Sequence, residues 1–135
     1  MSLQYSESVR NAMLDVVESD IGTSAVLKIF SGSMPADCAS ANSGSELASM
    51  DLPVDWMSAA ASGSKAKLGI WADETATSTG DAGHFRIYAS DGATCHVQGT
   101  VSLAGGGGDM IFDNLTVGAG FPAVITAFTL TAPGA

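Results

Sequence analysis

Three side chains of the types that bind metals or transfer protons lie close together in the sequence. His84, Cys95 and His96 fall in one predicted pair of strands, where imidazole and thiolate groups could ligate zinc or act as bases. The strand pairing derived below sets His96 opposite Arg86, points Cys95 to the other face and supplies no third ligand. We therefore predict that this segment holds neither a metal nor a catalytic residue.

An acidic loop and a run of glycines offer two further kinds of chemistry. Asp73, Glu74 and Asp81 could hold calcium, but they lack the alternating oxygen ligands and the closing glutamate of a known calcium loop. The glycines at 105–108 could cradle a phosphate, but a β-type pattern follows them in place of a helix. We predict a solvated loop for the acids and a turn for the glycines.

The two tryptophans and the two cysteines complete the candidates. Trp56 and Trp71 could stack on a sugar, although packing in a core or an interface is the interpretation we favour. Cys38 and Cys95 match no zinc motif, and they are compatible with two buried thiols or with a bridge between them. Together these residues predict a protein that is not an enzyme and binds no cofactor.

The charges of the chain argue against two classes of partner. Fourteen acidic residues stand against five Lys and Arg, for a formal net charge of −9, and the five cations are scattered. Such a chain is not expected to present the basic stripe that binds nucleic acid or the basic cluster that binds a membrane surface. No apolar run reaches the roughly 20 residues that span a bilayer, and the first residues lack a secretory signal, so we expect synthesis in a cytoplasm.

One helix is predicted, at residues 6–20, because apolar residues recur there at spacings of three and four. Ser6 is the expected N-cap and Gly22 the expected stop. A helix of this length needs a packing partner, which is either the chain's own β-domain or a neighbouring subunit. The side chains predicted to share the apolar face are Val9, Ala12, Met13, Val16 and Val17.

After Gly22 the pattern changes to the two-residue period of β-strands. Strands are predicted at residues 25–31, 46–52, 54–60, 66–71, 110–117 and 124–131, with two more between 84 and 103, and long loops fill 31–45 and 72–83. Glycine-rich turns between strands favour a mainly β fold, an antiparallel β-sandwich or jelly-roll-like barrel with one short N-terminal α-helix. We predict a single domain over residues 1–135, with a helical segment at 1–22 and a β-domain at 23–135.

The segment 84–103 carries the strongest strand pattern, because two runs of alternating apolar and polar residues flank Asp91-Gly92. A three-residue turn that pairs Ile87 with Cys95 keeps one face apolar, whereas a two-residue turn would mix the faces. The polar side chains that this pairing gathers on the other face are His84, Arg86, Tyr88, His96 and Gln98.

Five stretches that together span nearly the whole chain carry a family resemblance. They are LQYSESVRNAMLDVVESDIGTSAVLKIFSGSMPADC, GSKAKLGIW, GHFRIYASDGATCHVQGTV, GGGGDMIFDN and ITAFTLTAPGA. They resemble a family of small proteins encoded in the structural-gene regions of tailed double-stranded-DNA bacteriophages and prophages. No functional residues come with this family, so the resemblance assigns none to this sequence.

The resemblance implies a virion structural protein, most simply a capsid decoration (cement) protein on the capsid exterior, made in the host bacterial cytoplasm. Its partner would be the major capsid protein of the phage head, and it would act in many copies, with a homotrimer as one arrangement. The alternative is a tail, neck or fibre-associated module that binds a host surface glycan or another virion protein. The residues that we expect at the interface are Tyr5, Val9, Met13, Met34, Arg86, Tyr88 and His96.

Overall fold

The computed structural model describes residues 3–135, and within that range one α-helix precedes nine β-strands. The helix α1 spans Glu7–Ile21, and the strands are β1 Val26–Ser31, β2 Glu46–Asp51, β3 Ser64–Ala66, β4 Ala72–Asp73, β5 Gly80–Tyr88, β6 Cys95–Leu103, β7 Met110–Phe112, β8 Thr116–Val117 and β9 Ala123–Thr131. Strand residues make up 39% and helical residues 11%, which confirms the mainly β fold with a short N-terminal helix. Residues 1 and 2, which begin the predicted segment 1–22, lie outside the described range.

Helix α1 begins and ends as its sequence predicts. The Ser6 hydroxyl accepts a hydrogen bond from the Val9 amide at 3.2 Å, which satisfies one of the free amides of the first turn. Gly22 has a φ of 95°, and its amide donates to the Glu18 carbonyl at 2.9 Å. Within the described residues, no helix has the length and apolar character needed to cross a membrane.

The strands form one mixed sheet in the order β2-β1-β5-β6-β7-β9-β3, with β4 added to β9 and β8 added to β5. Strand β4 also returns to β2, where the Ser49 amide donates to Asp73 Oδ2 at 3.0 Å. The sheet therefore curls back on itself around a common core. The prediction of purely antiparallel strands is wrong at one place, because β6 and β7 run parallel with Val101 opposite Met110.

The glycine run explains how two neighbouring strands can be parallel. Only residues 104–109 connect β6 to β7, whereas parallel strands usually need a connection of about a dozen residues or more. Gly105 and Gly107 have φ values of +82° and +81°, a region that side chains with a Cβ rarely adopt. At Gly108 a Cβ would lie 2.7 Å from the Ser102 nitrogen. The predicted turn is confirmed, and its tight return depends on glycine.

The core lies inside the curled sheet and is built around aromatic rings. Trp71 lies 6.0 Å from Trp56 and 5.7 Å from Phe128, measured between ring centroids. Phe128 also meets Phe85 edge to face at 5.4 Å. Complete burial of a large apolar side chain contributes about 1.5–3 kcal/mol, so this cluster is a main source of stability. Other fully buried members are Leu27, Ile29, Leu47, Met57, Ile87, Met110, Phe112 and Ile125.

Two predicted strands, at 54–60 and 66–71, are not strands in the structure. The two segments meet through an isolated bridge between Met57 and Lys67, and only the neighbouring β3 pairs as a ladder, with β9. Their apolar residues do not line a pleated face, because Trp56 turns into the core while Ile70 is 80% exposed. The predicted loop 72–83 likewise contains β4 and the first four residues of β5.

The hairpin of β5 and β6 has a different register from the predicted one. Ile87 pairs with Val97 instead of Cys95, because residues 90–93 form a longer turn closed by the Ala89 amide on the Thr94 carbonyl at 2.9 Å. Asp91 holds this turn by accepting hydrogen bonds from the amides of residues 93 and 94 and from the Thr94 hydroxyl. These bonds, the hydroxyl bond first, lower the pKa of Asp91 to about 2.

The register shift of two residues preserves the apolar face, but a bulge between Ile87 and Tyr88 changes the end of the hairpin. Tyr88 pairs with Cys95, so Cys95 joins the face that carries Arg86. His96 consequently lies on the opposite face, and the prediction that it lies opposite Arg86 is wrong. Gln98 occupies that position.

Candidate functional site

The two histidines and Cys95 do not form a common site. His84 is fully buried, its Nδ1 lies 3.1 Å from the Gly32 carbonyl oxygen, and its ring stacks on Phe30 at 5.3 Å. His96 is exposed on the other face of the sheet, beside the end of α1. Among residues 3–135, no group of three or more His, Cys, Asp or Glu side chains is placed to hold a metal ion.

The acidic side chains near β4 and β5 serve local structure. Asp73 accepts hydrogen bonds from the amides of Ser49 and Thr75, which join β4 to β2 and form a turn. Asp81 accepts from the Thr116 hydroxyl at 3.2 Å, next to the pairing of β5 with β8. Their oxygen atoms are thus engaged separately, and they do not converge on a shared ligand position.

Both tryptophans are core residues. Trp56 and Trp71 are at most 1% exposed, and their ring nitrogens donate to the carbonyls of Gly22 and Leu68 at 3.0 and 3.2 Å. Burial of the rings on both faces leaves neither available to stack on a sugar. Of the interpretations that the sequence left open for these residues, core packing is the one that the structure shows.

The polar face of the hairpin, which the sequence predicts to be outward, is covered by residues 32–45. Arg86 is 2% exposed and donates to the carbonyls of Asp37 and Ser40 at 2.9 Å each. It also donates to Gln98 Oε1 at 3.0 and 3.1 Å. We call residues 32–45 the covering loop. Because this loop occupies the face, the prediction that Arg86 and the buried Tyr88 form an exposed surface is wrong.

The covering loop is held on this face by hydrogen bonds that its sequence does not predict. Gln98 Nε2 donates to the Pro35 carbonyl at 2.9 Å, and Asp37 Oδ1 accepts from the amide and hydroxyl of Ser40. The guanidinium of Arg86 supplies donors in a fixed planar arrangement and is charged at any accessible pH. The sequence carried no signal of this cover, because the predicted register placed His96, and not Gln98, opposite Arg86.

Helix α1 is fixed to the β-domain mainly through charged and polar side chains. Lys65 is 2% exposed, and its ammonium donates to Asp15 Oδ1 at 2.8 Å, to the Ser58 carbonyl at 2.8 Å and reaches Glu18 Oε1 at 3.0 Å. Its three N–H groups therefore have three acceptors. Asn11 Oδ1 adds a hydrogen bond from the Gly63 amide at 2.9 Å.

The same carboxylates also satisfy backbone amides of the segment beneath the helix. Asp15 Oδ1 accepts from the Ala60 amide and Glu18 Oε2 accepts from the Met57 amide, both at 3.1 Å. On the same side of α1, Leu14 and Ile21 are buried, and Val17 packs partly buried against the core. The spacing of Asp15 and Glu18, three residues apart on one helical side, was visible in the sequence, but their partner Lys65 was not.

The ion pair shifts the pKa of two of its members. Burial by itself lowers the pKa of Lys65, but the hydrogen bonds to Asp15 and Glu18, together with their charges, outweigh burial and raise it above 10.5. The hydrogen bond from Lys65, followed by the one from the Ala60 amide, lowers the pKa of Asp15 below 3.8. Both groups are therefore charged at neutral pH, when the helix is held most firmly.

The opposite side of α1 exposes most of the predicted apolar face to solvent, although Val17 of that face packs against the core. Val9, Met13 and Val16 are 45%, 39% and 59% exposed, and they follow one another at spacings of four and three. Tyr5 extends this surface before the helix begins, where its amide donates to the Gly134 carbonyl at 2.8 Å. We call these four residues the outer helix face.

The remaining predicted interface residues are separated from that face. Met34 is 40% exposed on the covering loop, on a different part of the molecule from His96. Whether either of them contacts a partner stays a prediction. The structure thus brings together three of the seven residues, Tyr5, Val9 and Met13, and the sequence missed Val16 as an interface candidate.

Comparison with known proteins adds no relative: no protein-family model, no curated protein and no solved structure matches this chain. The strongest functional feature of the chain is therefore its own geometry, a helix fixed to the β-domain on one side that exposes Val9, Met13 and Val16 on the other.

Proposed function

We propose that this chain is a non-catalytic structural protein of a tailed-phage virion, and in particular a capsid decoration protein that binds the major capsid protein lattice. The observation that carries the proposal is that α1 has apolar residues on two sides: Leu14 and Ile21 are buried against the β-domain, while the outer helix face is exposed to solvent. Surface helices of globular proteins normally carry charged or polar residues on the side opposite the core. The outer helix face is therefore suited to burial against another protein.

Burial of this face would favour association. Complete burial of an exposed Val or Met side chain contributes about 1.5–3 kcal/mol, so each half-exposed residue of the outer helix face would contribute about 1 kcal/mol. The helix is already fixed by Lys65, so its backbone loses little conformational freedom when a partner binds. A rigid apolar face of this kind supports a binding role without any chemistry.

Strand addition at the β2 edge is a weaker route to assembly. The Leu47 carbonyl already accepts from the amides of Thr77 and Ser78 at 2.8 and 3.2 Å, and the Ser49 amide donates to Asp73. A partner strand would have to displace these bonds before it could pair with β2. The helix face needs no such rearrangement, which is why we assign the contact to it.

The proposed partner is the major capsid protein, bound on the capsid exterior by many copies of this chain, with a homotrimer as one arrangement. The net charge of −9 supports a position away from the packaged DNA, which a basic surface would suit better. The resemblance of the chain to structural proteins of tailed phages supports the virion context. Stabilisation of the shell would then come from contact area across subunit joints.

A tail, neck or fibre-associated position is the alternative. Its glycan-binding form would use Trp56, Trp71 and Tyr88 as exposed platforms, and the burial of these three rings argues against that role for them. Its protein-binding form would use the same outer helix face on a different virion protein. Copy number separates the two positions, because a decorated shell holds hundreds of copies and a tail or neck holds about a dozen or fewer.

The proposal is tested by adding purified protein to capsids of the encoding phage that lack it. The wild-type chain should bind and raise the temperature at which the capsids release DNA. The variant Val9→Asp/Val16→Asp should bind at least tenfold more weakly, because two carboxylates would have to be desolvated in the interface. Unchanged unfolding of the free variant would show that the loss lies in binding.

The matched control is Ile70→Asp, which places the same charge on an 80% exposed residue outside the outer helix face. It should bind within twofold of the wild type. Virions that contain the chain only in the tail, or not at all, would refute the capsid role. Binding of Val9→Asp/Val16→Asp at wild-type strength would refute the helix face as the contact.

A further inference from the structure

The two cysteines lie next to each other although 57 residues separate them in the chain. Cys38 belongs to the covering loop and Cys95 begins β6, and their sulfur atoms are 3.1 Å apart. Both residues are partly buried and both are reduced in this structure. We propose that Cys38 and Cys95 are a site of oxidative modification, at which an intramolecular disulfide cross-links the covering loop to the sheet.

The surrounding structure holds both thiols in this position. The bulge before Tyr88 turns Cys95 towards the covering loop. On the other side, Arg86 donates to the carbonyls of Asp37 and Ser40, which flank Cys38 closely in the chain. A disulfide needs sulfur atoms about 2.05 Å apart, so the two must approach by about 1 Å, which is within the reach of side-chain rotation.

The reaction we propose needs an external disulfide, and oxidised glutathione is a suitable one. The thiolate of one cysteine attacks a sulfur of glutathione disulfide, forms a mixed disulfide and releases one glutathione thiolate. The second cysteine then attacks the protein sulfur of the mixed disulfide and releases the second glutathione. The chain loses two electrons and two protons, and glutathione disulfide gains both, so that two glutathione thiols result.

The position of the two sulfur atoms favours the closing step. They lie 3.1 Å apart, so the second thiol acts on the mixed disulfide at high effective concentration. Burial, the hydrogen bond with Cys38 and the charge of that neighbour raise the pKa of Cys95, so the reaction should be faster at alkaline pH. Either cysteine can react first, because the other sulfur then lies beside the mixed disulfide.

The cross-link would change the chain when it leaves a reducing cytoplasm for an oxidising medium. It would close a long chain segment into a ring and tie the covering loop, with its exposed Met34, to β6. Loops of this length give a large reduction in the entropy of the unfolded chain. This inference concerns the fold alone, and it holds whether or not the chain decorates a capsid.

To test this proposal, the purified chain is treated under native conditions either with oxidised glutathione, which oxidises the thiols, or with dithiothreitol, which keeps them reduced. Oxidised protein should be a monomer lighter by two hydrogen atoms, with both thiols blocked, and should melt about 5–15 °C above the reduced form. Amides of residues 33–42 should exchange more slowly with deuterium after oxidation. The Cys38→Ser/Cys95→Ser variant should melt at the same temperature in both conditions.

The proposal fails if both thiols remain free in folded protein after oxidation. It also fails if oxidation yields cross-linked dimers, since that result would place the reactive thiols between molecules. A mass loss that appears in both Cys38→Ser and Cys95→Ser single variants would show another modification and refute the pairing. The comparison of oxidised with reduced wild type does not depend on any variant that folds poorly.

Discussion

The inner side of α1 and the outer face of the hairpin both bury a cation, but they satisfy it in different ways. Lys65 is held by two carboxylates and one carbonyl, whereas Arg86 is held by two backbone carbonyls and the amide oxygen of Gln98. The first arrangement depends on ionised partners and the second does not. Charge pairing thus fixes a helix, and neutral acceptors fix a loop.

The two regions also differ in what they leave on the surface. Docking α1 through Leu14, Ile21 and the Lys65 ion pair leaves an apolar stripe exposed, whereas the hairpin is covered by a loop. An exposed apolar surface destabilises the folded state little when the buried polar groups are fully hydrogen-bonded. It contributes favourable free energy only when a partner covers it. The outer helix face is therefore the surface of the molecule that burial by a partner would stabilise.

The largest expected effect is that of Arg86→Ala. Removal of the guanidinium leaves the carbonyls of Asp37 and Ser40 and the Gln98 oxygen without a donor under the covering loop, so we expect a loss of about 3–5 kcal/mol in the free energy of unfolding. Urea unfolding measures it. The control is Lys28→Ala, which removes the cation paired opposite Arg86 on β1. It breaks a partly exposed ion pair with Glu46 and a cation–π contact with the Tyr88 ring at 5.5 Å, and should cost about 1 kcal/mol.

A loss under about 1 kcal/mol for Arg86→Ala would show that the covering loop is held by other contacts. Arg86 would then not be needed for the stability of the fold, and the comparison of the two regions by their buried cations would fail.

Lys65→Met should have the next largest effect, about 2–3 kcal/mol, because it leaves Glu18 and the Ser58 carbonyl without their buried donor. The cost is smaller than for Arg86 because Asp15 is 51% exposed and can be rehydrated. Its matched control is Lys67→Met, which removes an ammonium that has no carboxylate partner: it donates to the Gly69 carbonyl and lies 5.9 Å from the centroid of the Trp71 ring. Equal unfolding free energies for the two variants would contradict the role assigned to the ion pair.

Acid should weaken the helix contact before it weakens the bonds of Arg86. The pKa of Asp15 is lowered in the folded state, so its contribution to stability is complete above the unfolded pKa of 3.8 and is lost as pH falls through the lowered value. The stability difference between wild type and Asp15→Asn should therefore shrink between pH 5 and about pH 2, measured by urea unfolding.

The corresponding difference for Arg86→Ala should change little over the same range, because the guanidinium and its carbonyl acceptors do not titrate there. Asp37 does titrate there, but its hydrogen bonds with Ser40 lower its pKa more than the charge of Arg86 does. A difference for Asp15→Asn that stays constant with pH would mean that its carboxylate does not stabilise the helix through charge.

The smallest expected effect is that of Val16→Asp on folding. Val16 is 59% exposed, so the change should alter the free energy of unfolding by less than about 0.5 kcal/mol. Leu14→Asp, two residues away on the buried side, should cost more than about 3 kcal/mol because it buries a charge. Thermal or urea unfolding compares them. A large loss for Val16→Asp would mean that the outer helix face packs on its own domain.

Much of the local structure could be predicted from the residues that form it. Ser6 and Gly22 bound the helix because their side chain and backbone act within one turn. The alternation of Phe85, Ile87 and Val97 indicates the correct apolar face, although the turn held by Asp91 shifted the register by two residues. The candidate site was predicted only in part. Tyr5, Val9 and Met13 of the outer helix face were named as interface residues, but Val16 was not, and the pattern could not show that this face is exposed.

What the sequence by itself determined is the capped helix, the long strands with their apolar faces and the glycine turns, because their signals come from neighbours a few residues apart. Tertiary structure alone decided the short strands, the side of α1 that docks on the β-domain and the burial of the polar face of the hairpin. Lys65 meets Asp15 across 50 residues and Arg86 meets the Asp37 carbonyl across 49. Periodicity marks two faces of a helix or strand, but the burial of a polar face depends on whether distant partners complete its hydrogen bonds.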